Sequence, residues 1–260
     1  MATQLIPPPG TQQEQLNDGE GAVMGFFEHL DELRVRLFRA MLGLAVGMII
    51  ALLVASPVVS YLAASSGNFL IAISPTENIS IFFRVTLMIG AIIASPIITY
   101  QLLMFIIPGL TNTEKRWVLM SIPATTAMFL FGVVFTWLIL MPAYNMFLNG
   151  FLATVIKPQW TGDNYFGFIT SVLFWHGVAF ETPVVFYVIG RLGLITAKQM
   201  LHFWRHAVVG AAIFAGFIAP TYDPITMIAI TIILFSLYLF SVALVAFGVP
   251  NGWNGPPKAV

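Results

Sequence analysis

Long apolar runs with almost no charged residues constrain this chain more than any other feature of its sequence. A helix needs about 20 predominantly apolar residues to cross the hydrocarbon core of a bilayer. Three runs meet that length plainly, a fourth contains His176 and Glu181, and two more follow near the C-terminus. The predicted spans are residues 37–54, 81–107, 118–140, 166–189, 207–219 and 225–249.

The composition excludes a water-soluble globular protein. Of the 260 residues, 58% are hydrophobic and only 8% are charged, whereas soluble domains carry roughly a quarter charged residues. The surplus of apolar side chains needs lipid as its solvent, so we expect an all-α integral membrane protein with six transmembrane helices. The formal net charge is zero, which gives no indication of nucleic-acid binding. The chain has no cysteine, so disulfides and thiolate metal sites are excluded.

Helix length and prolines predict the shape of the bundle. The fifth span has 13 residues, which is short for a full crossing, and the sixth is expected to use fewer residues than its apolar run offers. We therefore expect the last two helices to be short. Pro96, Pro123 and Pro183 lie inside predicted spans, where they permit kinks. Kinked helices favour a concave bundle.

Loop charges predict the orientation of the bundle. Eight basic residues fall in segments on one side of the spans, against Arg84 and Lys157 near the other side. The eight are Arg34, Arg36, Arg39, Lys115, Arg116, Arg191, Lys198 and Arg205. By the positive-inside rule the side with the eight is cytoplasmic. Six spans then place both termini in the cytoplasm.

We expect one membrane domain, residues 24–249, and two tails. Residues 1–23 contain neither Lys nor Arg and lack an apolar core, unlike a secretory signal peptide. Their Pro-, Gln- and Gly-containing composition predicts a disordered cytoplasmic tail. Residues 250–260 are interpreted in the same way.

The segment before the first span reads FFEHLDELRVRL from Phe26 to Leu37 and predicts an amphipathic helix. Glu28 and Glu32 share one face of this helix, and Asp31 adjoins them. One interpretation is a solvated helix start in which Glu32 pairs with Arg36. The other is a site for a cation. Glu28 and Glu32 repel each other slightly across one helical turn, and a bound cation would make that repulsion easier to tolerate.

A second acidic position lies between the second and third spans. Thr111 and Glu114 have capping-box spacing, so Glu114 could simply close the start of the third helix. Alternatively, Glu114 is a second cytoplasmic carboxylate near Phe105. Carboxylates at a membrane surface suit guanidinium groups, because the planar fork of arginine forms bidentate hydrogen bonds.

Glu181 is an ionisable residue inside a predicted span. Such a residue costs about 2.5 to 3.5 kcal/mol to insert at the bilayer centre, so it is expected to face protein or a wet cavity. A structural hydrogen bond between helices and a functional role in a cavity are both open. His176 is interpreted as a packing residue. His202 and His206 are interpreted as interface histidines, because no third metal ligand is evident.

Signals of catalysis are missing from the sequence, which lacks a P-loop, an H-E-x-x-H motif and a G-x-S-x-G motif. We therefore expect neither an enzyme nor a bound metal or cofactor. A proton-coupled secondary transporter that uses Glu181 is an alternative function, although such folds usually have two related halves. An intramembrane hydrolase is a third alternative, but it would need a nucleophile–base pair or a metal triad in a span, and the sequence offers neither.

Several short motifs support a family resemblance when they are taken in order. His29–Arg34 reads HLDELR and resembles the H-L-x-E-L-R signature of TatC, the multispanning core of the twin-arginine protein translocase. The match extends over about residues 25–249, and each motif alone has low specificity. The further motifs are Ser95-Pro96, Tyr100-Gln101, Phe105-Ile-x-Pro108-x-Leu110, Glu114-Lys-Arg116, Phe180-Glu-x-Pro183 and Pro220-x-x-Asp223-Pro224.

The resemblance implies a glove-shaped, six-helix receptor for the export of folded proteins, whose signal peptides carry a consecutive arginine pair. The proton-motive force would supply the energy. Implied partners are the single-span TatA and TatB subunits, membrane lipid and further copies of the chain within a receptor complex. The implied location is the cytoplasmic membrane of a prokaryote.

The resemblance also implies roles for individual residues, carried over by motif position. Two acids and three neighbouring side chains would form the signal-peptide site, one acid would face the concave intramembrane cavity, and two residues would lie in outer loops. The residues of the signal-peptide site would be Glu32, Glu114, Phe105, Gln101 and Arg34. Glu181 would face the cavity, and Pro57 and Asp223 would lie in outer loops.

Overall fold

The computed structural model describes residues 26–66, 70–106, 112–151, 154–155, 159–218, 223–249 and 252–253. For residues 26, 27, 106 and 112–114 this description is limited to the backbone. The tail predicted for residues 1–23 lies outside the described residues, as does the tail at 250–260 apart from residues 252–253. Both tails therefore stay predictions.

The described residues fold into α-helices with one isolated β-bridge, between Ile71 and Thr161. The helices are α1 Phe26–Ala64, α2 Glu77–Ile106, α3 Asn112–Phe135, α4 Met141–Gly150, α5 Gly162–Phe180, α6 Thr182–Arg191, α7 Ala197–His202, α8 Trp204–Ile218 and α9 Pro224–Gly248. A π-helical turn, Thr136–Leu140, joins α3 to α4, and the backbone N–H of Met141 closes it on the carbonyl of Thr136.

The predicted all-α membrane fold is confirmed. Five helical stretches in the described part of the chain are long and apolar enough to cross a membrane. They comprise α1, α2, the continuous rod from α3 to α4, the pair α5 and α6, and α9. The remaining predicted span is α8, which has 15 residues and is short as expected.

The expectation of a short final helix is wrong. α9 has 25 residues, and two features explain where it begins. The Asp223 carboxylate accepts a hydrogen bond from the backbone N–H of Thr226 at 2.7 Å and caps the first turn. Pro224 follows in the first turn, where a proline costs no hydrogen bond. No glycine or proline interrupts the apolar sequence before Gly248, so the helix continues.

The predicted fourth span is two helices rather than one. α5 ends at Phe180, Glu181 forms a turn, and α6 begins at Thr182. Pro183 explains the break, because its ring lacks an N–H and collides with the preceding turn of an α-helix. The Ala179 carbonyl, which loses its usual donor at Pro183, accepts instead from the backbone N–H of Glu181.

Close packing of α1 on α2 forms the most extensive helix pair. A Cβ atom added at Gly47 would lie 2.5 Å from the carbonyl oxygen of Gly90, so these backbones can approach only because both residues are glycines. α5 packs between α2 and α3, and α9 packs against α6 and α8. A buried cluster that includes Leu62, Val85 and Ile169 joins the helices in the half of the bundle away from the N-terminus of α1.

The eight basic residues that were used to predict the orientation lie at the same end of the helix bundle. We call the end of the bundle formed by residues 28–39, 101–105, 115–117 and 187–206 the basic end, because the eight residues used for orientation lie there. The start of α2, the start of α5 and the start of α9 lie at the opposite end.

Candidate functional site

Glu32 forms an ion pair one helical turn along α1. Its Oε1 accepts a hydrogen bond from Nε of Arg36 at 2.8 Å and a second one from Nη2 of the same side chain. Both side chains are only 15% exposed. The pairing that the spacing of four suggested is therefore present, and it occupies one oxygen of the carboxylate.

The other carboxylate oxygen of Glu32 is left as an acceptor. Oε2 is buried and accepts no hydrogen bond from any residue that the structure describes. Nδ1 of His29 lies 3.7 Å from it. A buried acceptor without a donor is costly, typically about 1 to 3 kcal/mol. This oxygen is therefore suited to receive a donor from outside the chain.

Aromatic stacking joins the start of α1 to the end of α2. The rings of His29 and Phe105 lie 4.3 Å apart and are nearly parallel, with 17° between their planes. Gln101 lies one turn before Phe105 on α2, and its Oε1 is also buried without a donor among the described residues. The cluster of His29, Glu32, Gln101 and Phe105 thus combines a flat ring surface with two acceptors that have no donor within the described ranges.

The two other residues predicted for this site differ in what the structure describes. Arg34 is exposed and, with Asp31 and Phe38, lines a shallow groove formed by α1 alone. Glu114 lies in the first turn of α3 by its backbone, and its side chain lies outside the described residues. Its capping-box partner Thr111 is also outside them. The choice between a cap and a binding carboxylate therefore stays open for Glu114.

Glu181 connects two helices within the bundle. Its half-buried side chain accepts a hydrogen bond through Oε1 from Oγ1 of Thr99 on α2, at 3.2 Å. Ser95, one turn away on α2, has a buried hydroxyl without a partner in the described part of the chain. The structural hydrogen bond is therefore present, and it lies beside a further polar group that a ligand or water can use.

The outer-loop residues differ in outcome. Asp223 directly precedes α9, as expected. Pro57, by contrast, lies inside α1 and not in a loop, so its predicted placement is wrong. The helix continues past this proline because Val58, Val59 and Leu62 pack against the buried core cluster. That burial offsets the hydrogen bond that proline removes.

The remaining histidines have local partners. His176 is fully buried in α5, where Nδ1 contacts the Val172 carbonyl at 2.8 Å, in keeping with a packing role. His202 and His206 each contact the ring of Phe203. The described residues contain no group of three potential metal ligands.

A polar cluster at the opposite end was missed by sequence reasoning. Glu77 is buried and accepts hydrogen bonds from the backbone N–H groups of Ile73 at 2.8 Å and Asp163 at 2.7 Å. Arg84 pairs with Asp163 across helices. The one signal in the sequence was the charge of Arg84, which stands within a predicted span. Its partner is 79 residues away in the sequence, a distance that no local pattern bridges.

Comparison with known proteins supplies a family. The family model described as "Sec-independent protein translocase protein (TatC)" matches residues 28–232. The protein of that name from Synechocystis sp. is 31% identical over 249 residues, which are 94% of this chain and 98% of the relative. The chloroplastic TATC protein of Arabidopsis thaliana is 30% identical over 230 residues, which are 87% of this chain and 67% of the relative. The crystal structure of a twin-arginine translocase receptor TatC superposes with a TM-score of 0.75 at 35% identity, covering 83% of this chain and 97% of that one.

Proposed function

The chain belongs to the TatC family of Sec-independent protein translocase proteins, and on that premise we propose that it is the receptor core of a twin-arginine translocase. In this role it binds signal peptides that carry two consecutive arginines. It then takes part in moving the attached folded proteins across the membrane. The proton-motive force supplies the energy, and the chain acts as a binding and assembly protein rather than as an enzyme.

One observation carries the proposal: Oε2 of Glu32, beside the His29–Phe105 stack, accepts no hydrogen bond from the residues that the structure describes. A guanidinium group can donate two parallel hydrogen bonds to acceptors and lay its flat face against an aromatic ring. The Oε1 atom of Gln101 is a second buried acceptor on the adjacent helix. An ammonium group fits this arrangement less well, because its donors are not coplanar.

The pairing of Glu32 with Arg36 is compatible with a receptor, although it shows that the acid is not free. Arg36 binds Oε1 alone, which leaves Oε2 for the first guanidinium of a signal peptide. Exchange of Arg36 for a peptide arginine also replaces one guanidinium by another. Such an exchange conserves the number and type of hydrogen bonds.

The other residues take supporting roles in this proposal. Glu114 binds the second arginine of the pair, and Arg34 shapes the surrounding cytoplasmic surface. The apolar segment of the signal peptide lies along the bundle toward Glu181, whose hydrogen bond to Thr99 marks the polar point inside the membrane.

The proposal extends to location and partners. We place the chain in the cytoplasmic membrane of a prokaryote, with both termini in the cytoplasm, because the basic residues gather at one end. TatA, TatB and further copies of the chain are the proposed partners. The exposed apolar side chains of the short helix α8, among them Val209, Ile213 and Phe217, support a single-span partner there.

Binding of an Arg-Arg signal peptide to purified protein tests the proposal. We expect Glu32→Gln to weaken binding about 10- to 100-fold, because it removes a shielded charge-assisted hydrogen bond. Asp31→Asn is the matched control, since Asp31 is an exposed acid adjacent in sequence. A Lys-Lys version of the peptide should bind the unchanged protein weakly. Equal binding of both peptides, or no effect of Glu32→Gln, would contradict the proposal.

A proton-coupled secondary transporter is the second candidate. The helix break at Glu181 favours it, because discontinuous helices with an acidic residue are common at transporter sites. A transporter would move its solute regardless of whether a signal peptide carries arginines or lysines.

A further inference from the structure

An ion pair with no part in the proposed function lies near the end of the bundle opposite to Glu32. Nη1 of Arg84 lies 2.9 Å from Oδ1 of Asp163 and donates a hydrogen bond to the backbone carbonyl of the same residue at 3.0 Å. The side chains are 36% and 49% exposed. Arg84 stands seven residues after Glu77, the first residue of α2, and so lies about 10 Å along that helix. A charged side chain at such a position is unusual and points to a function.

This ion pair is not the only contact that fixes the start of α5. Glu77 already holds the backbone N–H of Asp163 at 2.7 Å. The contacts of Arg84 within the described residues use Nη1 alone, which leaves Nε and Nη2 for another acceptor. Gly167 makes room for the guanidinium, because a Cβ there would lie 2.9 Å from Nη1.

An apolar groove of about 580 Å³ begins at Arg84 of this pair. It runs between α1, α2 and α5 and opens to the surface of the bundle. Besides Arg84 and Gly167, its walls are Leu44, Leu87, Met88, Ala91, Thr170, Ser171 and Phe174. The site is thus charged at one end and apolar along its length, which is the pattern of an amphiphile.

We propose that this site binds a phospholipid whose headgroup carries both a phosphate and a primary ammonium group. The phosphate accepts hydrogen bonds from Nε and Nη2 of Arg84, the ammonium group donates to Asp163, and one acyl chain lies in the groove. A guanidinium is a strong partner for phosphate. The pair as a whole is neutral, so a headgroup with both charges matches it better than a purely anionic one, which would meet the carboxylate of Asp163.

Two other occupants match the site less well. A quaternary ammonium headgroup cannot donate a hydrogen bond to Asp163. An apolar peptide segment would fill the groove but would leave both exposed charges without new partners. The helix α2 has 30 residues and is therefore about 45 Å long, against about 30 Å for the hydrocarbon core. A position about 10 Å along it is thus expected near the level at which headgroup and acyl chain meet.

Lipid competition on the unmodified protein tests the proposal without any substitution. The protein is purified into micelles that hold equal amounts of phosphatidylethanolamine, phosphatidylcholine and phosphatidylglycerol with identical acyl chains. Retained lipids are then counted by native mass spectrometry. We expect phosphatidylethanolamine to be retained about threefold to tenfold over the other two, the effect of one partly exposed charge-assisted hydrogen bond. Equal retention, or a preference for phosphatidylglycerol, would overturn the proposal.

Three variants separate the parts of the site. Asp163→Asn should equalise the ethanolamine and choline lipids, and Arg84→Gln should lower retention of all three lipids by about threefold to tenfold. Leu87→Trp keeps both charges but enlarges a half-exposed wall of the groove, so it should also lower retention. Arg205→Gln, at the basic end, is the matched charge control and should change nothing. Retention unaltered by Arg84→Gln or Leu87→Trp would place any bound lipid elsewhere and reject this site.

Discussion

The two carboxylate oxygens of Glu32 have different surroundings. Arg36 binds Oε1 with two of its nitrogens, while Oε2 is buried near His29 at 3.7 Å and accepts no hydrogen bond from the described residues. The internal pair orients the carboxylate, and the unsatisfied oxygen gives a ligand a reason to bind. Arg36 leaves Oε2 unoccupied but neutralises much of the charge of this acid, so it is an electrostatic competitor of a peptide guanidinium.

Removal of this competitor should strengthen peptide binding. We expect Arg36→Gln to raise the affinity for an Arg-Arg signal peptide about twofold to fivefold, as for an ion pair worth up to about 1 kcal/mol. Titration of a labelled peptide into the purified protein measures it. Arg39→Gln is the control, because it removes an equal charge from an exposed position on the same helix. Weaker binding by Arg36→Gln would mean that Arg36 positions Glu32 and does not compete.

Sequence spacing predicted only part of this site. The contact of Glu32 with Arg36 is one turn of a helix, so the spacing of four was enough to suggest it. The stack of His29 on Phe105 joins residues 76 positions apart, and it depends on how α1 crosses α2. The two helices approach each other closely where Gly47 meets Gly90. Both glycines stand in apolar runs that contain other glycines, so the sequence does not show which of them make this contact.

At the level of elements, the break between α5 and α6 places Glu181 at a helix terminus. Its side chain then reaches Thr99 on α2. The sequence predicted the span and the acid, but it predicted neither the interruption nor the partner. Prolines with the same local chemistry behave differently here, since Pro57, Pro96 and Pro123 lie within continuous helices. Tertiary packing decides which proline breaks a helix.

Loss of the Thr99 donor should destabilise the bundle. We expect Thr99→Val to lower the free energy of unfolding by about 1 kcal/mol. Valine keeps the shape of the side chain but leaves the half-buried carboxyl group of Glu181 without its hydrogen bond. The midpoint of thermal unfolding, Tm, in detergent measures the effect. Thr86→Val is the matched control: Thr86 is buried in the same helix, and its hydroxyl donates to the Phe82 carbonyl of that helix. Equal shifts in Tm for both variants would show that the bond to Glu181 contributes nothing specific.

For the molecule as a whole, hydropathy predicted the arrangement of helices better than sequence patterns predicted the individual polar contacts. The number and order of membrane helices follow from apolar length, because lipid imposes that length on any spanning helix. The polar contacts at the end opposite to Glu32 join the start of α2 to the start of α5, as in the bond from Asp163 to Glu77. Such contacts depend on the finished fold and leave no periodic trace in the sequence.

The predicted orientation can be tested on intact cells, because the chain has no cysteine to interfere. The test uses two single-cysteine variants, Tyr61→Cys and Arg205→Cys. Position 61 is at the end opposite to the basic end, position 205 is at the basic end, and both side chains are exposed. A membrane-impermeant maleimide added outside the cytoplasmic membrane should label the first variant and spare the second until the membrane is opened. The reverse pattern would place the termini outside.

The π-helical turn at Thr136–Leu140 fixes the rotational phase of everything that follows it in the same rod. A π turn holds one residue more than an α turn, so each later side chain is displaced by about 100° around the axis. With this offset Met141 and Tyr144 are buried, while Met146 points outward at 83% exposure. One residue lost or gained in this stretch therefore acts as a rotation of α4 and not as a change of its length, and it would turn the buried face of α4 by about 100° away from the core.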